Sequence, residues 1–253
     1  MPFVQIDGTD IHYTDQGEGR PVVLLHGRSA SAACWDWHIT RLRKHCRVIA
    51  YDSVNHGFSD NSPRDVPEPD RREELDGFLG ALGLERPVLV GQSQGAMTVL
   101  RWAVRNPGRA ASLVVTGMGW PLTGDHPMNP LVDGLWIDSR GFEAGWAAEH
   151  PEVPAQYSRV RSTATSIEAT RHPRPLSPGA REFFDEDFGD RLRTITDPVH
   201  IAVGDLDFAA APARNLATLL PHAELTVLEG AAHSAYLQSL DTFLDVVFRA
   251  LDD

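Results

Sequence analysis

Ser93 sits at the centre of Gly91-Gln92-Ser93-Gln94-Gly95, directly after the apolar run at 87–90 (PVLV) and directly before a helical pattern. The G-x-S-x-G spacing suits a nucleophilic hydroxyl. The serine takes a sharp strand-to-helix turn, the small residues two positions away let strand and helix approach closely, and the helix N-terminus is aimed at the hydroxyl. Serine at its free pKa is a poor nucleophile, so such a site needs a base and an orienting acid elsewhere in the chain. The C-terminal third offers both, each after an apolar run. Gly204-Asp205-Leu206-Asp207 follows 199–203 (VHIAV), and Gly230-Ala231-Ala232-His233 follows 225–228 (LTVL). Ser, Asp, His is the chain order this chemistry expects. Asp207 is the expected acid, because the second carboxylate lies further along its loop and reaches over the strand end; Asp205 is expected to cap or bind loop amides. The preceding run ends in Thr116-Gly117-Met118-Gly119, so the alternative acid position is vacant.

His233 competes with ten other histidines of the eleven in the chain. His12, His38, His45, His126, His150, His172 and His222 fall in helices, surface loops or the middle segment, where solvated or structural roles suffice. His200 lies inside a strand pattern, and His26 is expected to shape the loop at Gly27. His56, in a loop at the same sheet edge, is the rival base. An acyl-transfer site also needs donors for a developing oxyanion. The backbone amide of Gln94, next after the serine, is one expected donor; the Arg28 amide, in His26-Gly27-Arg28-Ser29, is the other, with Gly27 permitting close backbone approach. The Arg28 side chain has two readings, a substrate carboxylate contact or a solvent-facing rim. No H-E-x-x-H or H-x-H-x-D run is present, so neither metal nor cofactor is expected.

These residues need a scaffold that brings strand ends to one edge. Apolar runs at 21–25, 47–51, 87–90, 112–116, 199–203 and 225–228 each stop at a polar or glycine-bearing loop, as parallel strands buried on both faces do. Runs at 3–6 and 11–14 flank Asp7-Gly8 as an opening hairpin. Leu75, Phe78, Leu79 and Leu82 fall at helical spacing with Gly83 as C′ residue. A helix after Gly95 runs through Met97, Leu100 and Ala103 and stops before Asn106-Pro107. Leu240, Phe243, Leu244, Val247, Phe248 and Leu251 form the stripe of a final helix. The reading is an α/β fold with a mostly parallel central sheet flanked by helices.

Residues 119–196 break this rhythm and are read as a helical lid inserted before the late strands, leaving 1–118 and 197–253 as the core domain. Helices are expected near 139–150 and 155–171, with a third after Ser177-Pro178. Met118, Trp120, Met128, Trp136, Phe142, Trp146, Tyr157, Phe183, Phe184 and Phe188 give the stretch many large apolar side chains. Most are expected to pack lid onto core. Together they suggest a modest apolar pocket, with Gly27, Met118, Trp120, Trp136 and Trp146 as candidate lining. Asp185, Glu186, Asp187 and Asp190 read as a solvated acidic face.

A formal charge of −12 over 253 residues disfavours nucleic acid or an anionic membrane as partner. Cys34 and Cys46 make no disulfide framework and no C-x-x-C, and read as buried thiols in a reducing compartment. No apolar run has the length of a membrane span and the N-terminus lacks a signal pattern, so a soluble, cytoplasmic protein is expected.

LLHG at 24–27, D-x-x-x-x-G-x-S at Asp52–Ser59, G-x-S-x-G at 91–95, G-x-x-D at 204–207 and G-x-x-H at 230–233 together resemble the α/β-hydrolase family. The resemblance covers almost the whole chain, with 119–196 in the place of the family's variable lid. It implies Ser93 as nucleophile, Asp207 as acid, His233 as base and the Arg28 and Gln94 amides as oxyanion hole. Asn55 stands where many relatives carry glycine, though Asn tolerates a left-handed backbone. A serine nucleophile argues against the haloalkane dehalogenase and epoxide hydrolase branches, which use aspartate, and against the cysteine-bearing dienelactone hydrolases; Gln92 in place of the lipases' His points away from those. The implied activity is hydrolysis of a small-to-medium hydrophobic ester, thioester or lactone through an acyl-enzyme. The alternatives are C–C bond hydrolysis of a vinylogous diketone, a cofactor-free perhydrolase, and, in another class, a slow-turnover ligand-binding receptor or scaffold.

Overall fold

Among the described residues eight strands form one sheet, in the spatial order 3–6, 9–16, 47–51, 21–25, 88–92, 112–116, 199–204 and 223–228. A computed structural model describes residues 2–28, 30–63, 69–121, 178–185 and 187–253. The expected helices near 139–150 and 155–171, and Met128, Trp136, Phe142, Trp146 and Tyr157, lie outside the described residues, as does most of the expected lid.

β1 (Phe3–Ile6) and β2 (Thr9–Gln16) form the hairpin, with Asp7 and Gly8 turning at φ 47° and 83°. β2 runs beyond 11–14 because it pairs antiparallel on both sides, with β1 from Thr9 and with β4 (Arg47–Tyr51) out to Gln16. From β4 onward every pairing is parallel: β4 with β3 (Pro21–Leu25), β3 with β5 (Val88–Gln92), β5 with β6 (Ser112–Thr116), β6 with β7 (Val199–Gly204) and β7 with β8 (Ala223–Leu228). The ladder continues through Gly91, paired with Leu25 and Val115, so β5 carries Gln92 to the sheet edge where Ser93 begins.

Alternation along the buried strands sends neighbouring residues to opposite faces. Val23, Leu25, Ile49, Leu89, Leu113 and Ile201 face one core, covered by α2 (Arg71–Ala81), α3 (Gln94–Arg105) and α6 (Ala210–Leu219). Val22, Leu24, Val48, Val90 and Val114 face the other, covered by α1 (Asp36–Leu42), α7 (Ala235–Gln238) and α8 (Leu240–Asp252). Fully burying each such side chain contributes about 1.5–3 kcal/mol, so the double-sided sheet is the main stabilising element. Gly83 ends the turn after α2 at φ 60°, as its position predicted.

α4 (Pro178–Arg181) starts at the expected Pro178, a 3₁₀ turn follows at Glu182–Phe184, and α5 (Phe188–Leu192) completes this segment. Phe183, Phe188 and Leu192 are fully buried in the same core as Leu100 and Trp102, so this part of the 119–196 stretch is integrated with the central domain. Phe184, by contrast, is exposed. Cys34 and Cys46 are buried and not joined in a disulfide, and burial pushes the Cys46 thiol up to about 11. No helix among the described residues is long and apolar enough to cross a membrane.

Candidate active site

Ser93 joins β5 to α3 with φ 51° and ψ −114°, a positive-φ conformation rarely adopted by a residue with a Cβ and one that costs about 1–3 kcal/mol. Its amide donates to Thr116 O (2.8 Å) and its carbonyl accepts from Met97 N–H (3.0 Å), which hold the turn from both sides. The flanking glycines are required by space. A Cβ on Gly91 would lie 2.5 Å from the Gly95 carbonyl, and one on Gly95 would press on the backbone of Leu25 and His26.

His233, in the loop after β8, brings Nε2 to 3.0 Å from Ser93 Oγ. Its Nδ1 lies 3.2 Å from both carboxylate oxygens of Asp207, in the loop after β7. A carboxylate accepts, so Nδ1 donates, and Nε2 is left to accept the serine proton. The Asp207 side chain is fully buried and also accepts from Ala209 N–H (2.9 Å), which fixes its rotamer. Asp205, expected to cap or bind loop amides, is exposed, as is Leu206 after it; the loop-amide contact is made by Asp207, the first buried residue after Gly204. The Phe208 ring stacks on the imidazole at 4.8 Å and 29°. Gly117 (φ 62°) gives the imidazole room: a Cβ there would stand 3.2 Å from its Cε1.

The loop after β3 passes beside the serine. A Cβ on Gly27 would meet Gln92 Oε1 and stand 3.2 Å from Ser93 Cβ, so glycine permits this loop to approach the serine closely. Arg28 is half-buried. The Gln94 amide opens α3 next to Ser93. Met118 and Trp120 follow β6; Met118 is buried in the core, and Trp120 packs on Gly189 and donates from Nε1 to Phe183 O (3.2 Å). The remaining lining candidates, Trp136 and Trp146, lie outside the described residues.

His56, the rival base, bonds through Nδ1 to Val54 O (2.9 Å) and packs at 4.9 Å from the His26 ring, whereas the bond to Ser93 Oγ comes from His233. The stretch 52–59 is structural. Asp52 accepts from Ala32 N–H (2.7 Å), Phe58 N–H (3.0 Å) and His12 Nδ1 (2.7 Å), and Asn55 does take a left-handed φ of 68°. His200 pairs with Asp253 through Nε2 (2.8 Å).

Residues 22–246 match the model of the family described as "Alpha/beta hydrolase family". The chain belongs to the alpha/beta hydrolase family.

Among relatives of this alpha/beta hydrolase, a non-heme haloperoxidase of Rhodococcus erythropolis is 31% identical over 96% of each chain. A non-heme chloroperoxidase of Streptomyces lividans is 32% identical over 90% of each. Of solved structures, the enol-lactonase from Burkholderia xenovorans LB400 superposes with a TM-score of 0.76 over the full length of both chains at 22% identity, a likeness of fold.

One residue of this hydrolase was missed by sequence reasoning. Arg71, the first residue of α2 after the N-cap Asp70, is buried among site loops: Nε and Nη2 donate to Ser53 Oγ, Nη1 donates to Gln94 Oε1 (3.1 Å), and Nη2 lies 3.2 Å from His26 Nε2. Its signal was positional. Arg71, Leu75 and Phe78 fall at i, i+4, i+7, which places the arginine on the buried stripe.

Proposed function

We propose that this alpha/beta hydrolase is a serine hydrolase that cleaves a small-to-medium hydrophobic ester, thioester or lactone through an acyl-enzyme on Ser93. The observation that carries the reading is the continuous chain of contacts from Ser93 Oγ to His233 Nε2 (3.0 Å) and from His233 Nδ1 to Asp207 (3.2 Å). His233 takes the serine proton as Oγ attacks the carbonyl carbon, and the Gln94 and Arg28 amides hold the oxyanion. The imidazolium then protonates the leaving group as the scissile bond breaks. Water, deprotonated by His233, releases the acid and restores the serine. Asp207 keeps the imidazole in the tautomer that accepts from serine and stabilises its charged form. No resident cofactor or metal enters this cycle, and the expected partner is a small hydrophobic acyl compound.

Ser93→Ala tests the reading. Turnover of a p-nitrophenyl ester and labelling by a fluorophosphonate are expected to vanish while the thermal transition persists; undiminished turnover would overturn it. A second reading draws support from the haloperoxidase relative at 31% identity over 96% of the chain: perhydrolysis on the same serine, with hydrogen peroxide in place of water as the attacking group. Peracetic acid formed from acetate and peroxide, in excess of ester turnover, would favour it.

A further inference from the structure

The ring of His26 has two one-way neighbours. Its Nδ1 faces Gly27 O at 2.7 Å, a carbonyl that only accepts; its Nε2 receives Ser53 N–H at 3.1 Å, an amide that only donates. Hence Nδ1 carries the proton, Nε2 carries a lone pair, and the imidazole is neutral. The bond to Gly27 O has a consequence for the next residue. In a trans peptide the C=O and N–H point in opposite directions, so pinning the Gly27 carbonyl fixes where the Arg28 N–H aims. Gly27 lies against Ser93 in this loop.

Arg71 holds that arrangement. The residue is 5% exposed and its guanidinium sits where three site segments meet: Ser53 after β4, His26 after β3, and Gln94 at the start of α3. Among the described residues its hydrogen-bond partners are a hydroxyl, an amide and an imidazole, none of them carrying a negative charge.

We infer that Arg71 is a positioning residue for the oxyanion hole: by bridging Ser53, His26 and Gln94 it locks the His26–Gly27 hydrogen bond and so the two backbone amides, of Arg28 and Gln94, into one fixed pair. This rests on the serine-hydrolase reading for its chemistry and on the three-way contact for its geometry. The charge acts in the same direction as the hydrogen bonds. Burial, then Arg71, then the neighbouring His56 ring hold His26 well below the ordinary histidine value, against the opposing pull of the Gly27 carbonyl. A second proton would have to enter at Nε2, where it would face the Ser53 N–H and break that contact. Arg71 on α2, His56 in the loop after β4, and the backbone groups of Ser53 and Gly27 are the polar neighbours that set this.

The experiment compares wild type with Arg71→Met and Arg71→Lys in p-nitrophenyl acetate hydrolysis, each normalised to sites titrated with a fluorophosphonate. Complete removal of one oxyanion donor costs about 10²–10³ in kcat, so loosening a donor pair is expected to lower kcat about 10- to 100-fold with KM changed less than about threefold. Arg71→Lys, which keeps the charge but lacks the planar fork, is expected to fall between. A purely structural role would lower the titratable fraction and leave kcat per site unchanged; kcat per site within about twofold of wild type in Arg71→Met overturns the inference. Should Arg71→Met fail to fold, nitrogen-15 spectra of wild-type His26 decide: Nδ1-protonated and neutral at pH 5.5 supports it, and an Nε2-protonated or doubly protonated ring overturns it. A wild type that neither turns over ester nor takes label refutes the hydrolase reading itself, an outcome separable from normal wild-type activity with an indifferent Arg71 variant.

Discussion

Asp205 and Asp207 stand two residues apart in one loop and differ in everything that matters to an imidazole. Asp207 is buried, receives Ala209 N–H and faces His233 Nδ1, while Asp205 is exposed. Asp207→Asn keeps the shape of the side chain but offers the ring an amide, which favours the tautomer that can no longer accept from Ser93. By analogy with the same change in other serine hydrolases, kcat is expected to drop about 10³- to 10⁴-fold at neutral pH with an unchanged thermal transition. Asp205→Asn is expected to stay within about twofold. Steady-state rates of the two variants check the assignment, and a reversed ranking would refute it. The meeting of Ser93, Asp207 and His233 was readable from sequence because each lies in the loop that follows an apolar run, at a strand's carboxyl edge. Arg71 was not, because a charged residue in Arg-Arg-Glu-Glu reads as a solvated face until a helix places it on the side of Leu75 and Phe78. Gly117 was passed over for a similar reason: its duty is room for an imidazole 116 residues later in the chain, which no local pattern encodes.

At the level of elements, the strands and the helices α2, α3 and α8 were anticipated because large apolar side chains recur at their proper spacing. The helix α6 was not: AAPARNLATL buries only Ala213 and Leu216, too little contrast for a stripe. The short α1 was hidden likewise, its seven residues spanning barely two turns. How the 178–192 segment is joined to the core was also beyond sequence, since it depends on ion pairs across separate elements. Arg101 of α3 is 1% exposed and meets both oxygens of Asp70 at 2.8 Å. Glu182 accepts from Arg101 (3.3 Å), Arg105 (2.8 Å) and Arg191 (3.4 Å). Asp70 also caps α2 by accepting from Arg72 N–H at 3.0 Å. Burial alone would raise its carboxyl, but the Arg101 hydrogen bonds and charge outweigh it and leave Asp70 below the ordinary carboxylate value. Asp70→Ala therefore removes a helix cap and leaves a buried guanidinium with only its longer contact to Glu182, and unfolding by urea is expected to show a loss of about 3 kcal/mol. Glu182→Gln leaves Arg101 its main partner, so a loss nearer 1 kcal/mol is expected. Equal losses in the two variants would contradict this ordering.

Across the whole molecule, the double-sided sheet places two histidines where water cannot reach them, and this shapes the response to acid. His38 in α1 is fully buried and donates Nε2–H to Tyr236 O (2.9 Å). Burial pushes it down to about 3; the Tyr236 carbonyl opposes this and Arg41 adds to it. His26 is held low chiefly by burial, then by Arg71 and His56. Both are neutral in the folded chain at pH values where the unfolded chain, with an ordinary value near 6.5, takes up a proton. Stability from these groups is therefore complete above pH 6.5 and is lost as pH falls below it, for His38 down to about 3. Each neutral histidine contributes a slope of about 1.4 kcal/mol per pH unit in that window, whose upper part, between about pH 6 and 5, lies above the ordinary carboxylate range. His38→Gln retains a donor for Tyr236 O and removes the titration. Urea midpoints measured from pH 7.5 to 5 are expected to fall less steeply in His38→Gln than in wild type, by about 1.4 kcal/mol per unit below pH 6. Parallel pH dependences would mean that His38 already carries a proton in the fold, and the packing of α1 beneath Tyr236 and Phe243 would have to be more open than the ring contacts at 5.5 Å describe.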